Sequence, residues 1–357
     1  MLDNSEVFMS FFSHVISTKL GANNRLAKLN ALLDWSKIEK HLSKIYEGKR
    51  REVGGVKPYN TLSMYKAIIL QAWHSLSDPQ LEEALRVRID FMEFTGFTLE
   101  EYLPDETTFC RFRNRLVELE LDQILMNEIN NQLCVLGLKI EKTNGAIIDA
   151  TIIESAARPK QQIEIADDRN EEEKPSQVIV RESCDPDAKW LKKGKKCYFG
   201  YKVFSVVQEK HGFIEHVDVK SANQSEVKNF PNVIDGLTPI KGRRVYGDKG
   251  FCSEENRAYL QQTGYKDGIM EKATRSHELT HFQKIKNKLI SKKRFIVEQS
   301  YGTLKRLFKF CRASYMTIKK VKGEALRKAI CFNLLKAINK ITIPVEKMCQ
   351  LMLLEVK

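Results

Sequence analysis

The sequence predicts an all-helical N-terminal domain followed by an α/β core built on a mixed sheet. Two changes of pattern carry that expectation. Up to about Leu138, apolar residues recur at helical spacing, whereas after Gly137 short β-branched runs alternate with helical segments. Length sets the scale: 357 residues, 42% of them hydrophobic, are enough for two or three domains, each burying its own core.

In chain order, Leu26, Leu29, Leu32, Leu33 and Ile38 form one helical series, and Met64, Ala67, Ile68, Ala72 and Leu76 another. The last clear helix of this half begins at Pro104 and Asp105, where the Asp105 carboxylate is placed to cap free N–H groups, and continues through TTFCRFRNRLVEL. Arg111, Arg113 and Arg115 crowd its first turns, either as phosphate contacts or as a solvated helix face. A short buried strand then surrounds Asp149, with Ala146, Ile147 and Ile148 before it and Ile152 and Ile153 after it.

The acidic stretch IEIADDRNEEEKPSQ has too little apolar content to pack and reads as a mobile surface loop, about residues 160–188. Strands are expected at 198–207 and 213–219, a helix at 225–237, a strand at 243–246, a helix at 253–262, a further strand within 266–272, and then two basic helices. Three strands, then alternating helix and strand, then helices, is the element order of an RNase H-like domain. The expected parts are a helical domain over 1–138, the core over 139–318 and a helical tail over 319–357.

Charge narrows the function. Lys and Arg number 59 against 46 acids, a formal charge of +13, and such an excess points to a polyanionic partner. Eight cysteines are scattered without a CxxC pair, which excludes a zinc ribbon and a dense disulfide framework and suits a reducing cytosol. No run of about 18 apolar residues and no basic leader is present, so no membrane partner and a cytoplasmic location are expected.

Asp149, Asp248 and Glu298 lie in the phrases GAIIDATIIES, RRVYGDKGF and SKKRFIVEQSYGTLKR, on strands or a helix where rigid metal-holding carboxylates serve phosphodiester chemistry. On the third segment, Arg294 lies roughly 40° and Lys305 roughly 20° from Glu298 around a helix axis, and Ile290, Val297, Tyr301, Leu304 and Phe308 form an apolar stripe beside them. Ten Lys and Arg against one acid over 284–312 is not a balanced salt-bridged face. Residues 189–196 pack five lysines with Trp190, among them Lys192, Lys193, Lys195 and Lys196; such a loop grips phosphates while the indole stacks on a base, or is a plain solvated turn.

Two other patterns carry less. His277-Glu-Leu-Thr-His281 satisfies HExxH, but its surroundings are polar and no third ligand follows, so it reads as a surface turn. Glu154, five residues after Asp149, falls on the opposite strand face.

Together, LPDETTFCRFRNRL, IIDATIIESAARP, YGDKGF and RFIVEQSYGTLKRLFKFCRASY resemble the bacterial DDE insertion-sequence transposases, most closely insertion sequence family five within the wider group that includes family four. The last phrase carries the Arg-x3-Glu-x6-Lys signature as Arg294, Glu298 and Lys305; Ser291 stands where that family often has a tyrosine, so a role for that tyrosine has no counterpart here. The resemblance covers most of the chain. It implies that Asp149, Asp248 and Glu298 coordinate two magnesium ions, with manganese able to substitute, and that Arg294 and Lys305 contact a phosphate near the element end. Lys202 and Asn223 also resemble family positions near the site.

The implied activity is cleavage of the ends of an insertion sequence and joining of the freed 3′-hydroxyls to target DNA. The implied partners are double-stranded DNA, as terminal inverted repeats and as target, and a second copy of the chain on that DNA, within the bacterial nucleoid. Only 49 residues separate Asp248 from Glu298, too few for the large β-rich insertion of some relatives. A non-catalytic DNA-binding descendant and a nuclease without strand transfer are the alternatives.

Overall fold

The computed structural model describes residues 24–47, 58–98, 102–159, 161–165, 177–274 and 277–341. Residues 1–23 of the expected helical domain, 166–176 of the expected loop and 342–357 of the expected tail lie outside the described residues. The chain forms two compact units, Met1–Thr143 together with Leu326–Lys357, and Asn144–Ala325.

In the first unit the described helices are α1 (Arg25–Leu32), α2 (Trp35–Leu42), α3 (Thr61–His74), α4 (Asp78–Val87), α5 (Ile89–Thr95), α6 (Glu106–Glu118) and α7 (Leu121–Val135). Local chemistry sets their ends. Asp105 caps α6 by accepting the Thr108 N–H at 2.6 Å, as its position predicts, and Ser77 with Gln80 forms a capping box on α4. Helix α7 falls inside the expected helical half, although no separate helix is singled out there by the sequence. Glu120 takes the left-handed conformation, φ 53°, between α6 and α7, a break marked by neither Gly nor Pro. Tyr65, Phe91, Phe109, Leu116, Leu125 and Leu133 are buried in this unit's core.

The unit boundary falls within the last described helix, α11 (Ile318–Ile338), which is therefore not a separate tail beginning at 319. The reason lies in its side chains. Arg327 pairs with Asp122 at 2.6 Å, both side chains 3% exposed; Lys328 donates to the Ala72 carbonyl at 2.9 Å, and Asn333 to Asn130 at 2.9 Å. Buried polar groups of this kind demand partners, and the helix finds them on α3 and α7.

The second unit is organised around a sheet of six strands: β1 (Gly145–Glu154), β4 (Lys189–Lys193), β5 (Lys196–Gln208), β6 (Ile214–Ser221), β7 (Arg244–Gly247) and β8 (Lys266–Ile269). Its order is β4-β5-β1-β7-β8, with β6 also on β5. β1, β5 and β6 run antiparallel, and β7 and β8 lie parallel to β1. This is the RNase H-like arrangement that the element order predicts. The helices are α8 (Glu226–Asp235), α9 (Glu254–Gln262) and α10 (His281–Arg306).

Strand alternation divides β1 between two faces. Ala146 and Ile148 join Phe204, Val206, Phe230, Val233, Val245, Phe251, Leu260 and Ile269 in a core shared with α8 and α9. The alternate residues, Asp149 among them, turn to the opposite face. There α10 lies, buried through Ile290, Val297, Tyr301 and Leu304, the stripe that the spacing predicts.

Two loop assignments need correction. Part of the acidic stretch pairs as a separate two-stranded antiparallel sheet, β2 (Gln161–Ile165) with β3 (Gln177–Arg181). The lysine run of 189–196 is no loop either but the hairpin of β4 and β5, closed by Gly194 at φ 63° and Lys195.

Because Asp122 and Arg327 are buried together, removing one partner leaves an uncompensated charge. Arg327→Met is expected to destabilise the protein by about 3–5 kcal/mol, and Asp122→Leu combined with Arg327→Met to recover most of that loss. Denaturant unfolding of the two single variants and the double variant provides the check.

Candidate active site

β1 and β7 are parallel neighbours, with Ile147 in register with Tyr246. Asp149 lies two residues beyond Ile147 and Asp248 two beyond Tyr246, so the ladder brings both carboxylates to the same end of adjacent strands. Asp248 caps the short 3₁₀ turn Lys249–Phe251 by accepting the Gly250 N–H. α10 crosses above them. The Tyr301 hydroxyl donates to the Asp149 carbonyl at 2.7 Å and accepts from Ser205 Oγ at 2.8 Å, which ties the helix to β1 and β5.

Two turns earlier on α10, Arg294 spans the pair. Its Nη2 lies 3.1 Å from Asp149 Oδ2 and 3.9 Å from Asp248 Oδ2. Burial pushes the Asp149 carboxyl up to about 6, against the lowering effect of the Arg294 guanidinium and the Ala150 N–H; the charges of Asp248 and Glu226 push it further up. An anion held where ionisation is costly, with a cation as its main relief, is a site prepared for positive charge.

Glu298 departs from the expected convergence. It is exposed, and among the described residues no three His, Cys, Asp or Glu side chains are grouped so as to hold a metal ion. The guanidinium of Arg294, one turn earlier on the same helix, already lies between the two aspartates. Glu298 nevertheless sits four residues after Arg294 and three before Tyr301, both of which touch Asp149. At about 100° per residue it shares their side of the helix. Lys305, two turns on, is half-buried on the same side.

Other expected contacts are redistributed. Lys202 is 6% exposed; its Nζ lies 3.2 Å from Glu226 Oε1 and donates to the Gln224 carbonyl at 2.8 Å. Asn223 is exposed in the turn before α8. In the first unit Arg113 is 4% exposed and makes a two-pronged pair with Asp78 at 2.7 Å, so it is structural. Arg115 is half-buried and bonds Glu118 at 3.2 Å. Arg111 alone of the three is exposed; Arg113, two residues on, stands about 200° away around the helix axis.

Lys192, Lys193, Lys195 and Lys196 are all exposed on the β4–β5 hairpin. Trp190 is 54% exposed but rests on Phe199 across the hairpin, ring centroids 5.5 Å apart. The HExxH pattern makes no zinc site: His277 precedes α10 and His281 begins it, so the two are not on one helical face.

Sequence reasoning missed Glu226, the first residue of α8, whose charge reaches Asp149. It belongs to no acidic phrase and nothing in the local pattern singles it out.

The chain matches the family described as "Transposase domain (DUF772)" over residues 14–115 and the family described as "Transposase DDE domain" over residues 141–334. It is 40% identical over 237 residues, 66% of this chain and 80% of the relative, to the transposase for insertion sequence element IS1106 of Neisseria meningitidis serogroup B. Among solved structures it is similar to the piggyBac transposase synaptic complex with hairpin DNA, at TM-score 0.43 and 12% identity over 90% of this chain and 76% of that one. A weaker likeness, TM-score 0.20 and 10% identity over 79% of this chain and 88% of that one, is to the Mos1 mariner paired end complex with Mn. With the DDE domain matched over more than half of its length and a relative at this identity covered over most of its own, the chain belongs to the DDE transposase family.

Proposed function

We propose that this DNA transposase cuts the ends of an insertion sequence and joins the freed 3′-hydroxyls to target DNA at a single divalent-metal site formed by Asp149, Asp248 and Glu298. The observation that carries the proposal is the sharing of Arg294 by two carboxylates from adjacent parallel strands, with Glu298 one helical turn along the same helix. The donor set fits a hard cation, because carboxylate oxygens suit magnesium and manganese and Asp149 is costly to ionise without positive charge beside it. Bound there, two magnesium ions supply activation of the attacking oxygen and stabilisation of the departing one.

The chain's own residues do the rest. Tyr301 fixes the Asp149 backbone, and α10 thereby holds Glu298 and Lys305 along one side of the site. Arg294 and Lys305 are assigned to a phosphate near the scissile bond. Hydrolysis and strand transfer both displace an oxygen at phosphorus in line, so one constellation serves both. Substrate DNA comprises terminal inverted repeats and target, two ends are processed together by a dimer, and the reaction takes place in the cytoplasm beside the nucleoid. The exposed lysines of the β4–β5 hairpin, with Arg111, are assigned to the phosphate backbone, and Trp190 to stacking on a base.

Three outcomes are expected. Asp149→Asn reduces end cleavage and joining below detection in a magnesium-containing assay on DNA carrying the element ends, and leaves end binding within about threefold, since in this reading a metal donor is lost and not a phosphate contact. Equal cleavage by the variant refutes the site. Joined products separate a transposase from a nuclease that only nicks.

The second concerns pH. The folded Asp149 carboxyl binds its proton more tightly than an unfolded one, so its ionisation costs stability increasingly as pH rises from about 4 to about 6, and the cost stays constant above that. A cation must displace that proton below about 6, and manganese affinity measured by calorimetry is expected to fall roughly tenfold per pH unit there. A flat profile between pH 5 and 7 contradicts the assignment of Asp149 as a donor.

Third, Lys192, Lys193, Lys195 and Lys196 changed together to Ala are expected to weaken binding to all DNA sequences alike and to reduce the salt slope of log affinity by up to about 3.6. Filter or fluorescence titrations from 50 to 200 mM salt read both quantities.

A further inference from the structure

Glu226 has one oxygen accounted for and one that points elsewhere. Oε1 lies 3.2 Å from the ammonium of Lys202, a side chain buried on β5 that also donates to the Gln224 carbonyl. Oε2 is turned toward the 3₁₀ turn of Asp248. A Cβ added at Gly250 would stand 2.3 Å from Glu226 Oε2 and 2.8 Å from Asp248 Oδ1, so the two oxygens lie within about 5 Å of each other, over the one residue of the turn that has no side chain to separate them. The charge of Glu226 is also felt at Asp149.

Counting charge shows why this is unusual for a merely structural ion pair. Asp149, Asp248 and Glu226 are three acids served by two cations: Arg294 is shared between the aspartates, and Lys202 is engaged at Oε1. A helix N-terminus and its dipole favour an acid at the start of α8, but they do not require its second oxygen to face another carboxylate. That orientation is repulsive unless positive charge is added between the two.

We propose that Glu226 is a fourth carboxylate of the active site and binds divalent cation together with Asp149 and Asp248, Lys202 holding its other oxygen. The proposal rests on the reading of this site as a divalent-metal site. Because no three acids among the described residues are grouped to hold a metal with Arg294 in place, cation entry requires its guanidinium to withdraw from between the aspartates so that the three carboxylates close on the ion, which frees Arg294 for a phosphate.

The test uses the full chain, freed of metal by chelation and titrated with manganese chloride alone, without DNA. Bound ion is read by loss of the free manganese paramagnetic resonance signal, and thermal melting without metal reports whether each variant is folded. Glu226→Gln is expected to weaken manganese binding at least tenfold, within the range for lost coordination, while Asp149→Asn serves as the control for the site itself.

Manganese affinity of Glu226→Gln within twofold of the parent, with binding lost in Asp149→Asn, overturns the role of Glu226 and leaves the site standing. Unchanged binding in both variants overturns the metal-site reading and this proposal with it. If Glu226→Gln melts below the assay temperature, Glu226→Asp decides: it keeps the charge and withdraws the carboxylate by one methylene, and it must bind manganese at least threefold more weakly than the parent, equal affinity refuting the proposal.

Discussion

Two carboxylates on neighbouring parallel strands cannot stay together without positive charge, and Arg294 supplies it. The remainder of the second unit follows from keeping that encounter in place. β1 must be central, so that β7 can lie alongside it in register. α10 must cross the face that Asp149 occupies, and the Tyr301 hydroxyl, bonded to the Asp149 carbonyl and to Ser205, stops the helix from sliding. The core of α8, α9 and the opposite sheet face anchors the strands against the repulsion on the polar side.

The same arrangement links electrostatics to chemistry. Burial raises the Asp149 carboxyl to about 6, and the guanidinium seated between the two carboxylates supplies positive charge that eases their ionisation. In the proposed reading, entry of a divalent cation would free Arg294, with Lys305 on the same side of α10, for a negatively charged backbone. The basic hairpin of β4 and β5 extends the positive surface of this unit, with the Trp190 and Phe199 rings packed together at its base and its lysines in solvent.

The first unit shows the opposite use of charge. Arg113 and Arg327 are spent on buried pairs with Asp78 and Asp122, where they direct how α4, α6, α7 and the end of α11 associate. An arginine count along the sequence therefore overstates the charge this unit offers to DNA. Lys202 makes the same point in the second unit, as an internal partner of Glu226.

Much was legible from the chain alone. Short apolar runs around Asp149 and before Asp248, the capping Asp105, and the apolar stripe of Ile290, Val297, Tyr301 and Leu304 are local patterns, and local patterns determine strand, cap and helix face because each depends on neighbours a few residues away. The mixed-sheet class followed from the sequence of elements, whereas the order of the strands in the sheet came from the structure. What only the tertiary structure decided was the company of each charge: that Arg294 bridges two aspartates, that Arg113 and Lys202 are buried, that Glu298 faces water, and that Glu226 turns toward Asp248. Ion pairs form between residues separated by tens to hundreds of positions, and their outcome is set by distance and burial, which no one-dimensional spacing encodes.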